Sequence, residues 1–206
     1  MSPPRDIPAA NIARSPSLKV VPDEFSREER ALLLQLAHQS VLAGLDHREL
    51  SLTAPSQHLA EPRGVFTTIH VQERLRGCVG YVRPIVSPQP VSLYRAVAET
   101  ARAAAFEDSR FSPLTTEEAL QLHVSLSILS LLRIVSPEEV IVGLHGLMVS
   151  QGERRGLLLP QVPIEHAWDR TTFLQQTCRK AGLAPDAWQN SAVLEVFTAE
   201  VFGDLH

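Results

Sequence analysis

Gly64-Val65-Phe66-Thr67-Thr68-Ile69-His70-Val71-Gln72-Glu73-Arg74-Leu75-Arg76-Gly77-Cys78-Val79-Gly80-Tyr81-Val82 reads as a β-hairpin, and the rest of the chain is organised around it. Gly64 to Val71 is rich in β-branched and aromatic residues, which suit a half-buried pleated surface, and Leu75 to Val82 is a second run of the kind. The polar Gln72-Glu73-Arg74 between them is a turn, and Pro84 stops the second strand because proline has no N–H to give a ladder. Inside that strand Gly77 and Gly80 bracket Cys78. Glycine weakens a strand, so such a pair marks a bulge or a close approach by a backbone or a ligand. The expectation is a thiol beside two gaps that a ligand fills.

Composition narrows the function classes. A chain of 206 residues with 44% hydrophobic content builds an ordinary globular core. Its formal net charge of −4 argues against a general electrostatic grip on nucleic acid or on an anionic membrane. No apolar run approaches the roughly 18 residues needed to span a bilayer. The first residues lack the charged-then-apolar order of a signal peptide, so a cytoplasmic protein is expected. Cys78 and Cys178 are too few for a disulfide framework, and their spacing matches no zinc signature, so no metal site is expected. The sequence leaves any cofactor open.

Working outward, residues 1–23 hold several prolines and few apolar anchors, and read as a flexible tail before a domain spanning 24–206. Ser26 with Glu29 forms a capping box that opens a helix to Ala43, with Leu32, Leu36, Ala37 and Val41 as its apolar stripe and Gly44 as its stop. Leu45 to Arg63 reads as a loop, and Ile85 to Pro90 as a connection. Val91 to Phe106 is a second, alanine-rich helix on which something packs closely. Thr115 with Glu118 caps a short helical turn, and Leu122, Val124, Leu126 and Ile128 alternate with polar residues as a strand. Glu139–Val142 and Leu147–Ser150 flank a turn holding His145, and Leu157–Leu159 is a buried strand ended by Pro160. A helix over Ala167–Lys180, stopped by Gly182, and one last strand over Val193–Phe202 complete the chain. Strands do not alternate strictly with helices, which predicts an α+β fold with a mostly antiparallel sheet flanked by helices.

Several blocks resemble the AMMECR-one family, whose microbial members are called AmmeMemoRadiSam system protein A. They are Leu75 to Gly80, Ala101 to Phe111, Val142 to Leu147, Gly156 to Val162 and Cys178 to Gly182. The resemblance implies two lobes, the larger built from both ends of the chain and the smaller from its middle. It also implies a pathway shared with a Memo-like protein and a radical-SAM protein, and no settled reaction.

Cys78 is the candidate catalytic residue. A nucleophilic thiol needs a nearby cation or base and access for substrate. Arg76, two positions away, shares its face on a regular strand and would supply the field. The plainer alternative is a small inert thiol on a tightly packed strand. With a two-residue turn at Glu73-Arg74, Cys78 faces Ile69 and His70 points to the other side, and a slip of one residue reverses this. Arg102, Glu107, Asp108 and Arg110 form a mixed-charge cluster at the helix exit, either lining a cleft or locking the structure. Gln161, after Pro160, is placed to orient a ligand. The candidate ligand-binding set is therefore Arg76, Gly77, Gly80, Arg102, Asp108 and Gln161. His145 reads as a solvated turn residue and Cys178 as core.

Two functions of different class follow. One is a binding or pathway-accessory protein, holding a small molecule or partner segment in an inter-lobe cleft lined by Leu75–Gly80. The other is a cysteine-dependent enzyme with Cys78 as nucleophile. An RNA-associated factor is a weaker third reading, since the scattered lysines and arginines form no basic track.

Overall fold

The computed structural model describes residues 23–81 and 90–204. Pro84, the 85–89 part of the expected connection and the 1–22 part of the expected tail lie outside them.

Helix α1 (Arg27–Leu45) begins where the capping box predicts. Ser26 accepts from the Glu29 N–H at 3.2 Å and the Glu29 carboxylate accepts from the Ser26 N–H at 3.0 Å, which satisfies two of the helix's unpaired donors. Its buried stripe runs through Leu33, Leu36, Ala37 and Val41, and Leu32 turns outward. Gly44 does not stop the helix. It lies inside it, where a Cβ would strike the Phe106 ring. The expected loop that follows contains one helical turn, α2 (Gln57–Ala60).

Strands β1 (Val65–Val71) and β2 (Arg74–Tyr81) form the central hairpin. Helix α3 (Leu93–Phe106) packs between the hairpin and α1 and buries Leu93, Val97, Ala101 and Ala105. Thr100 of α3 donates to the Ala96 carbonyl at 2.8 Å and so accepts from Thr67 of β1 at 2.7 Å, which leaves neither buried hydroxyl unpaired. The turn α4 (Thr116–Ala119) carries its expected capping box, and β3 (Leu122–Leu129) buries alternate residues.

The second half departs further from expectation. The expected arm Glu139–Val142 is not a strand: it follows a two-residue strand β4 (Arg133–Ile134), begins at the end of a 3₁₀ turn at Pro137–Glu139 and runs into a turn at 142–144, so His145 is not in a hairpin turn. It is buried, donating its N–H to the Ile141 carbonyl at 2.9 Å and accepting the Ile141 N–H at Nδ1 at 3.2 Å. The hairpin forms instead between β5 (Gly146–Gln151) and β6 (Arg154–Leu158). After the turn α5 (Val162–Glu165), helix α6 (Arg170–Lys180) starts at the cap Asp169 rather than at Ala167. It buries Phe173, Leu174, Thr177 and Cys178, and Gly182 takes φ of 71° beyond its end.

The expected last strand is two strands, β7 (Val193–Phe197) and β8 (Ala199–Gly203), in different sheets. Among the described residues the strands form antiparallel sheets of order β2-β1-β3-β8 and β4-β7-β5-β6. The chain is thus α+β, with helices α1 and α3 sharing the first core and α6 the second. It crosses between the sheets twice, at Ser130 and at Thr198. The two crossings are tied together: the Ser130 N–H donates to the Thr198 carbonyl at 2.9 Å, and the Thr198 N–H to the Ser130 hydroxyl at 3.0 Å. No helix among the described residues is long and apolar enough to cross a membrane.

Candidate functional site

Register decides which side chains meet Cys78. The hairpin turns at Gln72-Glu73, both with positive φ (50° and 63°), and Val71 pairs with Arg74. The ladder then slips: His70 pairs with Leu75 but Ile69 pairs with Gly77, leaving Arg76 as an extra, bulged residue. Cys78 consequently sits opposite Thr68, not Ile69. His70, two residues along β1, shares that face, as do His123, Ser125 and Ser127 of β3. All are half-buried, whereas Val65, Thr67 and Ile69 are sealed on the helix side. The Thr68 hydroxyl donates to the Cys78 sulfur at 3.3 Å.

The gaps beside the glycines are filled by the protein itself. A Cβ on Gly77 would collide with the Ala104 carbonyl, and one on Gly80 with the Val65 carbonyl and the Phe66 ring. Gly77 therefore lets α3 lie directly on β2, and Gly80 lets the Phe66 ring cover the strand. The expected vacancy beside the thiol is not there.

What distinguishes Cys78 is how its peptide is held. Strand β2 is an edge of its sheet, so the groups of Cys78 that face away from β1 need partners. Asp108 accepts the Cys78 N–H at 2.9 Å, and Arg110 donates to the Cys78 carbonyl at 3.2 Å. Asp108 and Arg110 also grip each other through two side-chain bonds of 2.7 and 2.9 Å. Together they mimic a neighbouring strand at one residue. Hydrogen bonding from Arg110, then from the Cys78 N–H, holds the Asp108 carboxyl far below the usual carboxylate range. Asp108 in turn raises the proton affinity of Arg110 against the cost of desolvation, and the adjacent Cys78 sulfur adds to the effect.

Arg76 does not serve the thiol. Displaced by the bulge, it pairs with Glu118 through Nε at 2.7 Å and a terminal nitrogen at 3.0 Å, and leans on Phe111. The cation near Cys78 is Arg110. Arg102 also lies elsewhere. Ala104 faces β2, and residues two apart on a helix point to nearly opposite sides, so Arg102 is turned away from Cys78 into another cavity. Gln161 caps α5 beside the second sheet, its carbonyl accepting from Ile164 and Glu165 at 3.0 Å each. Of the expected set, Gly77, Gly80 and Asp108 thus converge on Cys78; Arg76, Arg102 and Gln161 do not. Sequence reasoning missed Thr68 and the role of Arg110 as the carbonyl's partner, because both depend on a register that the bulge sets.

A half-buried cysteine with one hydroxyl donor on its sulfur and a fixed backbone is suited to non-covalent contact, and the Arg110 guanidinium on its carbonyl supplies one requirement of a nucleophile, a nearby cation.

Comparison with known proteins agrees with this architecture. The AMMECR1 family model matches residues 34–202. Protein MK0488 of Methanopyrus kandleri is 38% identical over 192 residues, covering 87% of this chain and 90% of its own. Protein TK0174 of Thermococcus kodakarensis is 38% identical over 185 residues, covering 82% and 87%. The crystal structure of the uncharacterized protein PH0010 from Pyrococcus horikoshii superposes with a TM-score of 0.68 at 36% identity, covering 84% of this chain and 89% of that one. The chain belongs to the AMMECR1 family.

Proposed function

We propose that this chain is a binding protein whose ligand, a small molecule or a partner segment, docks in an inter-lobe cleft lined by the Leu75–Gly80 strand and contacts Cys78. It would act in the cytoplasm as the AmmeMemoRadiSam system protein A, in a pathway with Memo-like and radical-SAM proteins. The observation that carries the reading is the double clamp on the Cys78 peptide, N–H to Asp108 and carbonyl to Arg110. A site needs its contact atoms held in place before the ligand arrives, and this clamp fixes one half-exposed residue on an edge strand. Both cysteines are free thiols, in keeping with a reducing compartment.

The test is association of the purified chain with a Memo-like protein and a radical-SAM protein, measured by calorimetry. Cys78→Ser should keep the affinity of the natural chain, and Asp108→Ala should lower it by about tenfold or more. If neither protein binds, the pathway assignment fails.

The second reading, a cysteine-dependent enzyme, is favoured by the Thr68 hydroxyl on the sulfur and by Arg110 beside it. It requires Cys78 to alkylate with iodoacetamide faster than glutathione does at neutral pH. A thiol no faster than glutathione would exclude it.

A further inference from the structure

We propose that a second site, remote from Cys78, takes a small organic anion in the cavity between α1, α3 and the segment after α1. This cavity of about 260 Å³ is walled by Arg48, Arg95 and Arg102, and Leu50, Leu52 and Ala98 make it apolar below. Arg95, Glu99 and Arg102 are spaced to stack along one face of α3, the face opposite the one that touches β2.

The charges in the cavity are unequally matched. Arg48 is held by Asp46 through bonds of 2.9 and 3.2 Å. Arg95 has a looser contact with Glu99 at 3.7 Å. Arg102 has no carboxylate partner among the described residues. With Glu49 and Glu99 lining the cavity and Asp46 on Arg48, charge is balanced overall, but Arg102 is the guanidinium left unmatched among the described residues. The Ser40 hydroxyl is committed to the Ala98 carbonyl at 2.6 Å, so the polar recognition comes from guanidinium groups.

These features define the ligand's chemistry. A planar guanidinium recognises a carboxylate or phosphate through paired N–H bonds. The volume lies slightly under the usual range for ligand pockets, which limits the guest to about the size of a single ring. The one guanidinium left without a carboxylate selects one anionic group. The ligand class is a compact apolar body bearing one carboxylate or phosphate.

The experiment is a ligand-observed NMR titration of the full chain with phenylacetate and with phenyl phosphate, and with benzyl alcohol as the neutral body. Saturable binding of at least one anion, with a Kd of about 1 mM or tighter, is expected. Arg102→Gln should weaken it by about tenfold, the loss of one charged hydrogen-bonding group. Arg102 is exposed, so this variant should melt like the natural chain. Asp108→Ala, which should lower affinity at the Cys78 site, should leave this binding unchanged, which separates this site from the one proposed above. Absence of saturation, equal binding of benzyl alcohol, or an Arg102→Gln variant that binds like the natural chain would each overturn the proposal.

Discussion

At Gly77 the backbone of β2 and the last full turn of α3 touch with nothing between them, and the first atom of any side chain would meet the Ala104 carbonyl. A backbone carbonyl in a helix cannot rotate aside as a side chain can, so the strain must be taken up by separating strand from helix. Gly77→Ala is therefore expected to cost about 3 kcal/mol, the upper part of the range for overpacked cores, read as a fall in the urea midpoint with an unchanged slope. A variant as stable as the natural chain would show that the two elements are not in contact. At this scale the sequence was informative about importance and misleading about purpose. Two glycines around a cysteine correctly marked a close approach, but the approaching atoms are the chain's own Ala104 and Phe66. The side of the sheet on which Cys78 stands was not legible. The turn uses Gln72 and Glu73 at positive φ where a hairpin signal would carry Asn-Gly, and no residue type announces the bulge at Arg76.

Among the elements, α1 shows both a readable end and a hidden one. Its capping box and most of its buried stripe follow from residue spacing. Its N-terminus is further clamped by His58, which no periodicity reveals. His58 stacks on Phe25 with ring centres 4.7 Å apart, meets the Glu29 carboxylate at 2.8 Å and lies 3.6 Å from Glu24. The hydrogen bond to Glu29 raises the His58 pKa above the ordinary 6.5, despite the opposing effect of burial. Burial pushes Glu29 upward, but bonds from the Ser26 N–H and then from His58 outweigh it and set the carboxyl below 4.5. A raised histidine contributes all its stability below 6.5 and loses it as pH climbs through the higher folded value. A depressed carboxylate contributes above 4.5 and loses it as pH falls through its lower one. The pair is thus fully engaged between about pH 4.5 and 6.5. His58→Gln should lower the melting temperature more at about pH 6 than at about pH 9. An equal loss at both values would mean that the ring acts by stacking on Phe25 and not by charge.

Across the whole molecule, the entry to α1 and the strand β8 are joined through Glu200. Its side chain, 8% exposed, accepts the Glu24 N–H at 2.6 Å and pairs with Arg30 at 2.9 Å. Loss of Glu200 leaves Arg30 its second partner Asp23 at 2.6 Å but takes the acceptor from the Glu24 N–H, so Glu200→Ala should cost about 2 kcal/mol, measured by denaturant unfolding. A loss below about 0.5 kcal/mol would place Glu200 among ordinary surface charges. This connection could not be read in advance, because Val193 to Phe202 holds no Gly or Pro to mark the change of sheet at Thr198. The α+β class was legible, since it rests on spacings that packing preserves, such as the alternation from Leu122 to Ile128.

The closing of the first sheet by β8 has a consequence for how the protein is made. Val124 of β3 finds its partner Asp204 only 80 residues further on. During synthesis the outer rim of β3 has to wait, unpaired, while the entire second sheet is translated. A chain stalled before Ala199 would carry an open hydrogen-bonding rim into the cell, and ribosome-associated chaperones are the natural guardians of that interval.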